Sequence, residues 1–267
     1  MIFNLYKTNI KKNLFVTLYC KKYKMNLIID SGNTIIKAAV FEDDTLVFKQ
    51  HIVYDDWQNE IKKILKSFNK IDTIVISNVS TIETERFSEL ESTYKVTYIT
   101  RDYKFPFTNG YQSPQTLGID RMVLASGAVL KYPGKNRLVI DAGTCITYDF
   151  VDETNTYLGG AISPGIHLRY KSLNNYTANL PLLSKEEPAN MIGTTTNESI
   201  HSGIVNGVTF EIESFIDVYS ERYPNFIIIL TGGDADFLAK RLKNTIFANS
   251  NFLLESLNQT FQYNQND

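Results

Sequence analysis

Asn26-Leu27-Ile28-Ile29-Asp30-Ser31-Gly32-Asn33-Thr34-Ile35-Ile36-Lys37 decides how the rest of the chain is read. Three apolar strand formers run into an aspartate, a glycine permits a tight turn, and Asn33 and Thr34 add polar groups before an apolar run resumes to Phe41. The pattern predicts a strand, a turn the size of a phosphate, and a returning strand. Taken alone it is equally an ordinary hairpin with an Asp-x-Gly corner. The same pattern recurs at Arg137-Leu138-Val139-Ile140-Asp141-Ala142-Gly143-Thr144-Cys145-Ile146-Thr147. A repeat that keeps the aspartate, the glycine and the flanking apolar residues together points to two halves facing one nucleotide.

A chain of 267 residues is long enough for two ordinary domains, and the duplication favours two over one. The expected boundaries are 25–117 for the first half and 118–267 for the second. With 43% hydrophobic and 21% charged residues the composition is that of a globular protein, and a net charge of -2 makes no electrostatic case for nucleic acid. An anionic ligand must then be held by local donors. Cys20 and Cys145 form neither a metal spacing nor a disulfide framework, and His51, His167 and His201 are scattered, so reduced cytoplasm is the expected compartment. Cys145 is expected to be a small buried residue, and His167 and His201 to be surface or interface groups rather than catalysts.

The first 24 residues carry six lysines and no acid around a short apolar run, Leu14 to Cys20. The run imitates a signal peptide but lacks a small-residue cleavage site, and it is far too short to span a bilayer. No membrane association is expected. The segment reads as an extension, disordered or untranslated, upstream of a start at Met25.

Beyond the first hairpin, Thr45 to Lys49 suggests a third strand, and apolar residues from Trp57 to Phe68 recur at helical spacing. Thr73 to Val79, a helix over Ile82 to Tyr94, and a strand from Val96 to Thr100 complete a βαβ alternation, giving βββαβαβ overall. An aromatic loop follows over 101–117. A helix from Gly118 to about Tyr132 opens the second half, followed by strands Leu138–Ala142, Cys145–Val151 and Thr156–Ile162 and a helix from Ile166 to Tyr176. A long helix is expected from Thr196 to Tyr223, with Ile200, Ile204, Val208, Ile212 and Ile216 on one stripe. Phe226 to Leu230 reads as a central strand. A helix then ends near Leu242, and a last one runs from Leu253 to Phe261.

Duplicated Asp-Gly turns, Thr231-Gly232-Gly233-Asp234-Ala235 after a late strand, and paired βββαβαβ halves resemble the actin-like ATPase and sugar kinase superfamily. That resemblance implies an α/β fold of two ribonuclease H-like halves, with a cleft between the subdomains. Within it, Asp30 to Thr34, Gly118-Ile119-Asp120-Arg121, Asp141 to Thr144 and Gly159 to Gly165 are similar to the motifs of type III pantothenate kinases, in the family's order. The resemblance implies an ATP:pantothenate phosphotransferase that opens coenzyme A synthesis.

By the same resemblance, Asp30, Ser31, Gly32, Asn33, Thr34, Ile35, Ile36 and Lys37 form the first phosphate loop, with Asp30 facing Mg²⁺ and Lys37 reaching phosphate. Thr144 contacts ATP, Asp141 ligates a monovalent cation, K⁺ or NH₄⁺, and Thr231 to Ala235 lies toward adenosine. Asp120 takes the role of general base, suited to the start of a helix where an ionised carboxylate is favoured. Arg121 offers a planar fork to the pantothenate carboxylate. Tyr111, Gly118 and Ile119 line the substrate pocket, and Thr196 reaches it from the second subunit of a homodimer. Two rivals share these corners: another small-molecule kinase of the superfamily, and a nucleotide-binding regulator without turnover.

Overall fold

The computed structural model describes residues 24–32, 34–78, 87–223 and 225–265. Residues 1–23 of the proposed extension 1–24, Asn33 and residues 82–86 of the expected helix over Ile82 to Tyr94 lie outside these residues. Two mixed sheets carry the fold. The first is built from β1 (Met25–Ser31), β2 (Ile36–Glu42), β3 (Thr45–Ile52), β4 (Ile71–Asn78) and β5 (Lys95–Tyr98). Its spatial order is β3-β2-β1-β4-β5, antiparallel from β3 to β1 and parallel from β1 to β5.

The second sheet repeats that plan. It uses β7 (Arg137–Ala142), β8 (Cys145–Val151), β9 (Thr156–Pro164), β10 (Ile227–Thr231) and β11 (Phe247–Ala248), ordered β9-β8-β7-β10-β11 with the same alternation of directions. A short β6 (Thr108–Asn109) lies parallel to β9 at its edge. The sequence read 101–117 as a loop throughout; β6 and a 3-10 turn at Pro114–Thr116 are ordered pieces within it.

Helix α1 (Trp57–Ser67) covers the outer face of the first sheet, where Trp57, Ile61, Ile64 and Leu65 pack on Leu27, Ile29, Ile74 and Ile76. Among the described residues that follow β4, Ser88–Glu91 is α-helical, as α2. Between the sheets lie α3 (Ile119–Lys131) and α8 (Phe252–Tyr263). Their apolar residues meet Ile28 and Val75 from one sheet and Val139 and Ile229 from the other. Ser126 and Thr260 hydroxyls share a hydrogen bond of 2.7 Å across this helix pair. The aligned strand ends of both sheets are therefore held at fixed distance by one packed layer.

On the outer face of the second sheet pack α4 (Ile166–Asn175), α5 (Thr196–His201), α6 (Gly207–Arg222) and α7 (Ala235–Ala239). The long helix expected from Thr196 runs as α5, a π-helical turn at Ser202–Asn206, and α6. Its stripe of Ile200, Ile204, Val208, Ile212 and Ile216 is buried in this chain's own core, so it is not available as a subunit contact. After β10 the expected helix stops at Ala239 rather than near Leu242, and β11 follows, which no periodicity announced.

Candidate active site

The two Asp-Gly corners meet. Asp30 stands near the end of β1 and Asp141 near the end of β7, and the Thr34 and Thr144 hydroxyls from the two turns lie 3.1 Å apart. In the first corner Lys37 is the cross-strand partner of Asp30, and its Nζ sits 3.4 Å from the carboxylate. The Tyr54 hydroxyl donates to the Gly32 carbonyl and pins the turn. In the second corner the cross-strand partner of Asp141 is Thr147. Among the described residues Asp141 has no salt-bridge partner. Gly232 closes in from β10 with φ of 96°, and a Cβ there would meet the Ala142 carbonyl oxygen and Asp141 Oδ1 at 2.4 Å each. Only glycine lets the third corner pack against the second.

Three carboxylates, Asp30, Asp120 and Asp141, and one amine, Lys37, act on one another across this space. Burial raises Asp30 against the pull of Lys37. Burial also pushes Asp141 up, to about 7, with Asp120 and Asp30 adding repulsion and Lys37 opposing them. For Lys37, burial works downward but Asp30, Asp141 and Asp120 outweigh it, so the ammonium is held more firmly than usual. The cluster thus carries an excess of negative charge and suits added cations.

Two further groups fit that reading. Ser77, the register neighbour of Asp30 on β4, and Thr231, the register neighbour of Asp141 on β10, both have buried hydroxyl oxygens without a hydrogen-bond partner among the described residues. Such orphaned groups beside buried carboxylates are what a ligand or its waters would satisfy. No group of three or more acidic, cysteine or histidine side chains among the described residues could cage a metal alone.

The opposite wall is the start of α3. Gly118 is its N-cap, Ile119 its first residue, and Asp120 accepts the Arg121 backbone N–H at 2.9 Å through Oδ1. Arg121 is buried and its Nε donates to Asp149 at 2.8 Å. The Tyr111 ring lies over the guanidinium, 5.9 Å from Cζ. Gly159, at φ of 102°, leaves the space that ring needs, since a Cβ would come within 3.2 Å of it. Tyr111 also packs with Leu117, Met122 and Tyr157, so it serves core and pocket together.

The structure does not bring every expected residue to this place. Thr196 begins α5 and lines a separate open cavity of about 1100 Å³ with Arg169, Leu173 and Ile204. Its neighbours are engaged locally: Thr195 caps the helix by accepting from the Glu198 backbone, and Thr194 donates to Glu198. Thr196 is the one of the three whose hydroxyl has no such bond among the described residues. Ile36 belongs to the apolar core and can offer a ligand only its backbone. Cys145, the first residue of β8, is exposed at the mouth of the second turn, contrary to the buried position expected, because it lies at the very end of its strand. Asp149, Ser77 and Tyr54 were missed. Of these only Asp149 left a trace in the sequence, as the one acid within the apolar run of β8.

Two carboxylate corners closing on one cleft, with a lysine in one and a helix-borne aspartate opposite, define a phosphotransferase of the actin-like ATPase and sugar kinase class. Solved structures agree on the fold. A Listeria monocytogenes protein described as an N-acetylmannosamine kinase superposes with a TM-score of 0.52 at 12% identity, covering 90% of this chain and 99% of that one. A Campylobacter jejuni protein assigned to the Baf family of transcriptional activators gives 0.58 at 22% identity, covering 90% and 100%. At these identities the likeness concerns architecture alone.

Within the class the family is specific. The family model for type III pantothenate kinase matches residues 26–218. The type III pantothenate kinase of Flavobacterium psychrophilum is 58% identical over 239 residues, covering 90% of this chain and 99% of its own length. The chain belongs to the type III pantothenate kinase family, and its reaction is phosphorylation of pantothenate at the expense of ATP.

Proposed function

We propose that Asp120 is the general base of this reaction and that the two corners grip one triphosphate between them. The observation that carries the reading is the mutual field of Asp30, Lys37, Asp120 and Asp141, joined by the Thr34 to Thr144 contact. ATP supplies the phosphoryl group, and Mg²⁺ with a monovalent cation neutralises its charge. Backbone and side chains of residues 30–37 line the first phosphate loop, with Asp30 nearest the divalent ion and Lys37 meeting phosphate oxygen. Thr144 contacts ATP from the second turn, and Asp141 holds K⁺ or NH₄⁺.

Asp120 accepts the proton of the pantothenate hydroxyl as that oxygen attacks phosphorus. The developing alkoxide makes the nucleophile, and such positioned bases contribute about 10² to 10⁴ in rate. Tyr111, Gly118, Ile119 and Arg121 hold the remainder of pantothenate, with Arg121 toward its carboxylate. Thr196 acts in a second copy's pocket, which accounts for its distance from Asp120 in its own chain and requires a homodimer. We place the enzyme in the cytoplasm; no helix among the described residues is long and apolar enough to cross a membrane. The test is ADP release with and without pantothenate, in potassium and in sodium buffer. Pantothenate-dependent release that Asp120→Asn abolishes, with ATP binding retained, supports the assignment; turnover undiminished in that variant removes Asp120 from its role.

A further inference from the structure

We propose that Asp149 is the positioning residue that presents Arg121 to the substrate carboxylate, and so sets the enzyme's preference for an acidic substrate. The inference rests on the reading of Arg121 as the carboxylate partner. Asp149 is completely buried within β8, on the face turned toward α3, and three donors converge on it. Arg121 Nε donates to Oδ1 at 2.8 Å, the Tyr157 hydroxyl to the same oxygen at 2.6 Å, and the Thr147 hydroxyl to Oδ2 at 3.0 Å. An ionised carboxylate only accepts, so three donors and no acceptor around it describe the charged form.

The manner of the grip matters more than its strength. A free carboxylate and a guanidinium prefer a two-pronged contact. Here Thr147 ties up Oδ2, so Asp149 takes Arg121 through Nε rather than as a fork, and the Tyr111 side chain is a further partner of the guanidinium. Arg121 Nη2 is left buried with no hydrogen-bond partner among the described residues. A charged donor in that condition is destabilising unless something completes it. The Tyr111 ring covers the guanidinium face, leaving its edge as the direction of approach. The arrangement reserves that edge for an acceptor the chain does not supply, and a planar carboxylate is the matching group.

The experiment compares pantothenate with its alcohol analogue, in which a hydroxymethyl group replaces the carboxylate. Steady-state constants for both, and for ATP, are measured in wild type, Arg121→Ala and Asp149→Asn. Asp149→Asn is expected to raise the pantothenate KM at least about tenfold, equivalent to about 1.4 kcal/mol, while the analogue and ATP constants stay nearly unchanged. The acid-over-alcohol preference then falls toward that of Arg121→Ala. Thr147→Val, which frees Oδ2 to take Nη2, is expected to move the preference in the same direction by less, and it keeps the test available if Asp149→Asn does not fold. An Asp149→Asn enzyme, or failing that a Thr147→Val enzyme, that keeps the full preference overturns the proposal, as does an equal loss on both substrates, which a merely structural role would give. Should Arg121→Ala itself keep the preference, the reading of Arg121 is wrong and the proposal goes with it, while the Asp120 assignment stands.

Discussion

The two corners share strand order, an Asp-x-Gly turn and a hydroxyl that meets its counterpart, yet they handle charge in opposite ways. The first carries its own counterion, since the residue across the strand pair from Asp30 is Lys37. In the second the same place is taken by Thr147, which turns to Asp149 instead. The change of partner gives Asp30 a counterion across the strand pair and gives Asp141 a neutral neighbour there. A duplicated element thus carries its charge in two different ways.

The largest expected effect tests what lies between the corners. Asp120→Asn should lower kcat by about 10² to 10⁴, with ATP affinity measured by calorimetry little changed. Next comes the counterion. Lys37→Met strips Asp30 of its partner, and breaking a buried pair from one side costs about 3 kcal/mol or more, visible as a lower denaturation midpoint together with weakened ATP binding. If stability held, the claim that the first corner is internally neutralised would be wrong.

The second corner is sharpened by pH. The folded value of Asp141, about 7, lies above its ordinary 3.8. Between these values the native state keeps a proton that the unfolded chain has released, so stability of the ligand-free protein falls as pH rises through that window and levels above it. Asp141→Asn should flatten much of this slope and raise the melting temperature near pH 8; Asp30, shifted in the same direction, leaves a remainder. An unchanged slope would place the unbalanced charge elsewhere. The smallest effect is expected from Thr34→Ala, which removes one exposed hydroxyl contact worth about 1 kcal/mol and should raise the ATP KM by less than about tenfold.

Much of this was legible along the chain because its causes are local. Alternation and β-branched runs specified the strands, and Asp30, Gly32, Asp141 and Gly143 mark turns by short-range chemistry. Gly118 to Arg121 could be placed at a helix start for the same reason. β11 and the early end of α7 were not legible: two residues of strand have no period, and β11 exists because β10 offers it an edge. Cys145 was misjudged because exposure at the first residue of a strand depends on what packs over the strand's end, which the residue type does not specify.

The sequence alone determined that two similar halves exist and which residues form their corners, since both follow from interactions between near neighbours. Tertiary structure decided which charges face each other. It set Lys37 against Asp30, left Asp141 without a salt bridge among the described residues, and drove Asp149 under Arg121 from 28 positions away. Electrostatic balance depends on distance and burial, and neither quantity exists until α3 and α8 are packed between the two sheets.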